Sequence, residues 1–314
     1  MPLALACASH TPLIHEGTIA PEDKQAVTTA FAELARHIRE FQPDCIVQFF
    51  ADHLNGFFYD LMPSFCVAVE GESLGDWGGG TGPLPVDSKF ALAIADAARD
   101  ADIDVALSYR MKVDHGFVQI WETMFGNFRD YPVVPIFINC AAPPIPKYRR
   151  ARMLGEAVGR FVSDSGKRVL LAASGGLSHD PPLPQLTTAP PDVRERLIDG
   201  RNPTADAREV RVNRVLDAGR LAAQGQGPCQ PLNPEWDRKF LDLLRSGKLA
   251  EIDKFTPEGV RKEAGCGANE VLGWVAAFAA LSTAGPYKFD MEFYKPIPGW
   301  IAGMAIVGAT PVST

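Results

Sequence analysis

Four histidines follow predicted β-strands by a few residues and could meet at one point. They are His10, His53, His115 and His179, and each comes after a short apolar run. In open α/β sheets the carboxyl ends of the strands face the crevice where ligands bind. Imidazoles from separate strand ends can therefore converge on one ligand or ion.

A carboxylate is needed to complete a metal site of this kind. Imidazole nitrogen and carboxylate oxygen are the ligands expected for Fe(II) or Zn(II), and two histidines with one carboxylate leave coordination positions open for substrate and O2. Asp52 and Asp114 directly precede histidines, which suits hydrogen bonds that fix the tautomer of a ring. Asp60, Asp180 and the distant Glu270 are further candidates, and spacing alone leaves the choice open.

The positions of these residues depend on the elements around them. Apolar runs typical of buried strands alternate with segments of helical period, which predicts an α/β fold with a largely parallel or mixed central sheet flanked by helices and a metal site at the strand carboxyl ends. The predicted strands are Leu3–Ala8, Asp44–Phe50, Asp104–Ser108, Val133–Ile138 and Arg168–Ala173. The predicted helices are Pro21 to about Phe41, Ser88–Arg99, Arg149–Phe161 and Asn269–Leu281, with Glu270 in the first turn of the last.

The whole chain, 1–314, is interpreted as a single catalytic domain with a helical excursion at about 181–255, where proline and charge replace the apolar pattern. The run ASGGLSH, which ends at His179, has small residues that would let backbone and a bound ring approach closely. The glycine-rich run 75–83 follows no clear strand and opens no clear helix, so it is predicted to be a flexible loop rather than a phosphate cradle.

Composition narrows the class of partner. A net charge of −7 without a basic cluster argues against nucleic acid and favours a small-molecule substrate. No stretch approaches the roughly 18 apolar residues needed to span a bilayer, and no signal peptide is evident, so no membrane partner and a cytoplasmic location are expected. The six cysteines form no CxxC pair and are expected to be reduced core residues.

Several longer motifs resemble the class III extradiol ring-cleavage dioxygenases, the superfamily of the protocatechuate 4,5-dioxygenase catalytic subunit. The resemblance extends over essentially the whole chain, and its longer motifs are far more specific than a metal-ligand spacing. The motifs are CASHTPL (7–13), FADHLNGFFYD (50–60), VDHGF (113–117), SGGLSHDPP (174–182), LNPEWD (232–237), WVAAFAA (274–280) and YKPIPGWIAG (294–303).

The resemblance implies a role for each candidate residue. His10, His53 and Glu270 look like the ligands of one Fe(II) ion. His115 looks like the proton donor and His179 like the proton acceptor. The activity implied is cleavage of a catechol ring with O2 beside its two hydroxyls, on 3-(2,3-dihydroxyphenyl)propionate and 2,3-dihydroxycinnamate, and the assembly implied is a homo-oligomer, possibly a tetramer.

Other functions remain open at this point. The enzyme could act on another 3-substituted catechol, the same ligands could hold Zn(II) in a hydrolase, or the chain could be a non-enzymatic binding protein with a relic pocket. The presence of both His115 and His179 favours chemistry over the last two. The substrate carboxylate needs a cationic partner, for which Arg110 and Lys112 are candidates that could equally be surface charges.

Overall fold

The computed structural model describes residues 3–15 and 19–312. Its described part has eleven strands and ten α-helices. The strands are β1 (Leu3–Ala8), β2 (Cys45–Phe50), β3 (Phe65–Ala68), β4 (Gly71–Leu74), β5 (Thr81–Pro83), β6 (Ala106–Ser108), β7 (Met111–Val113), β8 (Val133–Ile138), β9 (Val169–Ser174), β10 (Tyr287–Ile297) and β11 (Ala302–Pro311). The helices are α1 (Pro21–Phe41), α2 (Ser88–Asp100), α3 (His115–Phe125), α4 (Tyr148–Ser163), α5 (Pro191–Ile198), α6 (Ala205–Ala223), α7 (Pro234–Arg245), α8 (Leu249–Ile252), α9 (Pro257–Ala264) and α10 (Val271–Ser282).

Eight strands form one mixed sheet in the order β10-β11-β1-β9-β2-β8-β3-β6. The central strands β1, β9, β2 and β8 are parallel, whereas β11 pairs antiparallel with β1, and β3 pairs antiparallel with β8. This arrangement confirms the predicted fold class. It also brings the carboxyl ends of β1, β9 and β2 to one edge of the sheet, where the candidate site lies.

Helices cover both faces of the sheet because the central strands are apolar on both sides. In β1, Leu3, Leu5 and Cys7 pack into the layer that holds α4 and α10, while the alternate alanines face the layer of α1 and α3. Residues 271–281 of α10 are all buried. This agrees with the expectation that the helix is apolar nearly all round.

The predicted helices and all five predicted strands appear within about two residues of their expected bounds, with the strand predicted at Asp104–Ser108 shortened to Ala106–Ser108. The prediction of a flexible loop at 75–83 is wrong in part, because Asp76–Gly78 forms a 3₁₀ turn and Thr81–Pro83 forms β5, which pairs antiparallel with β4 in a second, three-stranded sheet with β7. The C-terminal hairpin β10–β11 was not predicted. Its strand β11 fills the place beside β1.

Between 181 and 255 the chain forms α5 to α8 and their connecting loops. The single-domain organisation stays a prediction. Over the described ranges, no helix combines the length and apolar character needed to cross a membrane. The cysteines are free thiols, four buried and two partly buried.

Candidate metal centre

Three candidate ligands meet at the carboxyl edge of the central sheet. His10 follows β1 by two residues and His53 follows β2 by three. Glu270 comes from far along the chain, as the last residue of a 3₁₀ turn (Cys266–Glu270) that leads directly into α10. The side chains of His10 and Glu270 are almost fully buried, and that of His53 is nearly so.

The distances between these side chains suit a small cation. The Nε2 atoms of His10 and His53 are 3.3 Å apart, and Oε1 of Glu270 lies 3.2 Å from Nε2 of His53. Oε2 of Glu270 is 3.7 Å from Nε2 of His10. Ligands about 2.0–2.2 Å from one ion lie roughly 3.0–3.6 Å from each other. The three groups therefore match the edges of one coordination polyhedron with little adjustment.

The protonation states of the three side chains favour the binding of a cation. Burial lowers the pKa of His10 to about 3, so its ring is neutral at neutral pH. Burial would raise the pKa of Glu270, but the charges of His179 and His10 and the hydrogen bonds of His179 and His53 hold it well below its usual range. Burial lowers the pKa of His53, but Asp114 and Glu270 outweigh this and raise it. A metal ion would displace the proton that His53 carries at Nε2.

A buried aspartate holds His53 at two points. Oδ2 of Asp114 accepts from the backbone N–H of His53 at 2.9 Å and lies 3.0 Å from its ring Nδ1. It also accepts from Nδ2 of Asn55 at 2.8 Å, while Oδ1 accepts from the backbone N–H of Gly116 at 3.0 Å. The carboxylate thus keeps Nδ1 protonated and turns Nε2 of His53 toward the site.

The other two ligands have their own supports. Nδ1 of His10 lies 2.8 Å from Oγ of Ser174, at the end of the adjacent strand β9. Oε2 of Glu270 accepts from the backbone N–H of Gly176 at 3.0 Å. Each ligand is therefore oriented by a group that does not face the proposed ion.

His115 is held in the same two-point manner by Asp76. Oδ1 of Asp76 accepts from the backbone N–H of His115 at 2.7 Å, and Oδ2 lies 2.6 Å from its ring Nδ1. The ring of His115 stacks on that of His53 with centroids 4.4 Å apart. A ligand atom of His115 lies within 4.8 Å of those of His10 and His53.

Asp76 was not among the predicted site residues, because its glycine-rich segment follows no clear strand and opens no clear helix in the sequence. The placement of His115 also needs correction: it follows β7 of the small sheet and begins α3, so it does not come from the main sheet. An aspartate and a tryptophan inside a glycine-rich turn, GDWGGG, are the signal that could have indicated a functional hairpin.

The ring of His179 is enclosed by glycines on both sides. A Cβ at Gly176 would lie 2.0 Å from Nδ1 of His179, and one at Gly267 would lie 2.1 Å from Nε2. Nδ1 is 3.1 Å from the carbonyl oxygen of Leu177, and Nε2 is 3.2 Å from Oε1 of Glu270. The small residues of ASGGLSH therefore make room for the imidazole itself.

The remaining acidic candidates have other partners. Asp52 accepts from the backbone N–H groups of the loop after His53, and burial together with Asp114 raises its pKa to about 7. Asp60 pairs with Arg201 on the surface. Asp180 accepts from the backbone N–H groups of residues 230 and 266. Among the described carboxylates, Glu270 is the one that contacts both His53 and His179.

Residues 4–305 match the family described as the catalytic LigB subunit of aromatic ring-opening dioxygenase. The chain belongs to this family. It is therefore an enzyme of the ring-opening dioxygenase class, and extradiol dioxygenases of the LigB family depend on a metal. A histidine-rich site that could hold one is present at the edge of the sheet.

Individual relatives of this LigB-family chain cover it from end to end. A Rhodococcus protein is 50% identical over 99% of both chains. A Photorhabdus laumondii protein is 48% identical over 100% of this chain and 99% of its own. Both are named 2,3-dihydroxyphenylpropionate/2,3-dihydroxicinnamic acid 1,2-dioxygenase. A solved structure of an uncharacterized Escherichia coli K12 protein shares the fold, with a TM-score of 0.52, 14% identity, and coverage of 98% of this chain and 99% of its own.

Proposed function

We propose that this enzyme cleaves the catechol ring of 3-(2,3-dihydroxyphenyl)propionate and 2,3-dihydroxycinnamate with O2, using one Fe(II) ion held by His10, His53 and Glu270. The observation that carries the proposal is the convergence of these three groups within 3.2–3.7 Å of one another, with two further imidazoles beside them. The relatives' names support the substrate.

The ion would supply coordination sites for both catechol oxygens and for O2, and a route for electrons between them. The protein residues would then transfer protons and hold the substrate in position. His179 accepts the proton of a catechol hydroxyl, since its Nε2 faces Glu270 while Nδ1 donates to a carbonyl oxygen. A cation bound to Glu270 would free Nε2 of His179 from that carboxylate.

His115 donates a proton to one of the two oxygen atoms of O2 when the bond between these atoms breaks during ring opening. Its Nδ1 is engaged by Asp76, so Nε2 is the atom available on the side of the other histidines. Both atoms of O2 enter the product, which is of the 2-hydroxy-6-oxonona-2,4-dienedioate type and keeps the side chain of the substrate. The new break falls between a hydroxylated carbon and the carbon that bears the side chain.

Anaerobic reconstitution with Fe(II), followed by addition of substrate and oxygen, tests this function. We expect one O2 consumed for each molecule of substrate and a yellow product measured by its absorbance. Protein loaded with Zn(II) is the control and should consume no oxygen. If the Fe(II)-loaded enzyme consumes no oxygen with either substrate, the proposal is wrong.

The proposal includes a cytoplasmic location, expected from the apolar pattern of the sequence, and a homo-oligomeric state, possibly a tetramer, which the family resemblance implies. Sedimentation equilibrium of the purified protein measures the oligomeric state. A monomer at micromolar concentration would contradict it.

A further inference from the structure

Ser178 directly precedes His179, is fully buried, and has each of its polar groups hydrogen-bonded. Its backbone N–H donates to Oδ1 of Asp237 at 2.7 Å, and its Oγ donates to Oδ2 of the same carboxylate at 2.8 Å. Its Oγ also accepts from the backbone N–H of Asn233 at 3.0 Å, and its carbonyl oxygen accepts from the N–H of Gly303 at 2.9 Å. Ser178 is therefore fixed by the beginning of α7 and by the beginning of β11.

Three of the longer sequence motifs meet at this serine. SGGLSHDPP supplies Ser178 and His179, LNPEWD supplies Asp237, and YKPIPGWIAG supplies Tyr294 and Gly303. The hydroxyl of Tyr294 donates to Oδ2 of Asp237 at 2.7 Å. A Cβ at Gly303 would lie 2.2 Å from the same oxygen, so a glycine at this position leaves room for the carboxylate. The last two motifs supply no ligand or histidine of the metal centre, and their contacts converge on the residue before His179.

The carboxylate of Asp237 is fully buried without a cationic partner. Its donors, Ser178 and Tyr294, are uncharged, and it makes no ion pair with a lysine, arginine or histidine in ranges 3–15 and 19–312. Burial raises the pKa of Asp237 even though both residues donate to it, so an ionised side chain is costly here. An asparagine of the same shape has one acceptor oxygen, whereas Ser178 presents two donors. The costlier carboxylate thus suits the two contacts with Ser178.

The segment that Asp237 holds also determines the orientation of the His179 ring. Nδ1 of His179 lies 3.1 Å from the carbonyl oxygen of Leu177, and the N–H of Leu177 in turn donates to the carbonyl oxygen of Gly303 at 3.2 Å. The other polar contact of the ring is from Nε2 to Oε1 of Glu270, which a bound cation would replace. Once the metal is bound, the ring therefore depends on residues 177 and 178 for its orientation.

We propose that Asp237 is a positioning residue for the proton acceptor His179, which it holds in place through Ser178. This inference rests on the proposed function, in which His179 accepts the proton of a catechol hydroxyl. A displacement of about 1 Å in a catalytic group can lower the rate about 100-fold. The two hydrogen bonds between Asp237 and Ser178 oppose such a displacement.

Steady-state turnover of Asp237→Asn tests the positioning role. This variant keeps one acceptor oxygen for Ser178 and removes the other. We expect kcat for 3-(2,3-dihydroxyphenyl)propionate to fall about 10- to 100-fold, while KM and the Fe(II) affinity change by less than about twofold. Ser178→Ala, which removes only the contact of Oγ with Asp237, should show a smaller loss of the same kind. An unchanged kcat in Asp237→Asn would overturn the proposal.

Asp87→Ala is the control for a general loss of stability. Oδ1 of Asp87 caps α2 by accepting from the N–H of Phe90 at 3.1 Å, and the N–H of Asp87 donates to the carbonyl oxygen of Val133 at the amino end of β8. This edge of the sheet is opposite the metal centre. The variant should unfold at a lower urea concentration than wild type and keep its kcat. A loss of kcat equal to that of Asp237→Asn would overturn the proposal.

A double-mutant cycle distinguishes positioning of His179 from wider damage. If Asp237 acts through the imidazole, Asp237→Asn should lower the residual turnover of His179→Ala by less than about twofold. The same fractional loss in both backgrounds would overturn the proposal, because it would show that the effect does not pass through His179.

Hydrogen exchange of the metal-free protein, followed by mass spectrometry, gives a readout without turnover. Amides in the peptide 174–182 should exchange at least about 10-fold faster in Asp237→Asn than in wild type or Asp87→Ala, with the peptide around His10 unchanged. Equal exchange in the peptide 174–182 would overturn the proposal. The proposed function fails separately, if Fe(II)-loaded wild type leaves both catechols uncut; if wild type cuts them and Asp237→Asn keeps its kcat, the positioning role alone fails.

Discussion

Replacing Asp114 with asparagine should weaken metal binding by loosening His53. The carboxylate is fully buried and accepts four hydrogen bonds, two of them from His53. Burial would raise the pKa of Asp114, but the charges of His53 and His115 and the hydrogen bonds from His53 and Asn55 outweigh it and lower the pKa. The side chain is therefore ionised and fixes the proton on Nδ1 of His53.

The magnitude follows from these contacts. An asparagine can keep three of the four hydrogen bonds by turning its oxygen toward His53, and it leaves the buried N–H of Gly116 without an acceptor. That loss should reduce the free energy of unfolding by about 1–3 kcal/mol. Removal of the charged partner of a ligand histidine typically lowers metal affinity 10- to 100-fold, or about 1.4–2.7 kcal/mol.

Anaerobic Fe(II) titration against a chelating indicator measures the affinity, and urea unfolding of the metal-free protein measures stability. Asp76→Asn is a matched control, because Asp76 holds His115 through the same backbone and Nδ1 contacts. It should keep the Fe(II) affinity within about twofold and lose turnover. An unchanged affinity in Asp114→Asn, or an equal loss in Asp76→Asn, would refute the reasoning.

Further substitutions separate the roles of individual residues. Glu270→Gln should lose Fe(II) on gel filtration, whereas His115→Ala and His179→Ala should retain it and lose turnover; loss of metal from both histidine variants would contradict the division of roles. Burial raises the pKa of Asp180, but its backbone donors outweigh this and lower it, so its stabilisation is present at neutral pH and lost as the pH falls through the lowered value. Asp180→Asn should be less stable than wild type at pH 7 in urea unfolding, with the difference vanishing in acid. Gly155→Ala should cost about 1–3 kcal/mol in the same assay, since its Cβ would lie 2.1 Å from a carbonyl oxygen of α10; an unchanged midpoint would contradict this.

The positions of His10 and His53 could be predicted because they depend on local patterns. Apolar runs mark β1 and β2, and a parallel arrangement brings the ends of such strands to one edge whatever the rest of the chain does. Glu270 could not be chosen in this way. Its place depends on how deeply α10 packs, which is a property of the whole core.

The contact of Asp76 with His115 and the position of α6 depend on packing that has no local signal in the sequence. Asp76 reaches His115 only because β4 pairs with β7 in the small sheet, and short strands with weak alternation gave no sign of that pairing. Helix α6 docks across the segments that follow β1 and β2 through Arg211 and Gly219. A helix with a weakly apolar face shows from its sequence neither its partner nor its direction.

The close contact of α4 with α10 has a consequence for the metal centre. Gly155 and Gly159 admit the backbone of α10 at positions 276 and 280, where any side chain would meet main-chain atoms. Glu270 stands at the head of α10, so this contact fixes the distance between the carboxylate and the two strand-end histidines. A screen for altered iron affinity should therefore recover substitutions at these glycines, although they contact α10 more than one helical turn beyond Glu270. To exchange the metal, one could then change the packing depth of α10 instead of replacing a ligand.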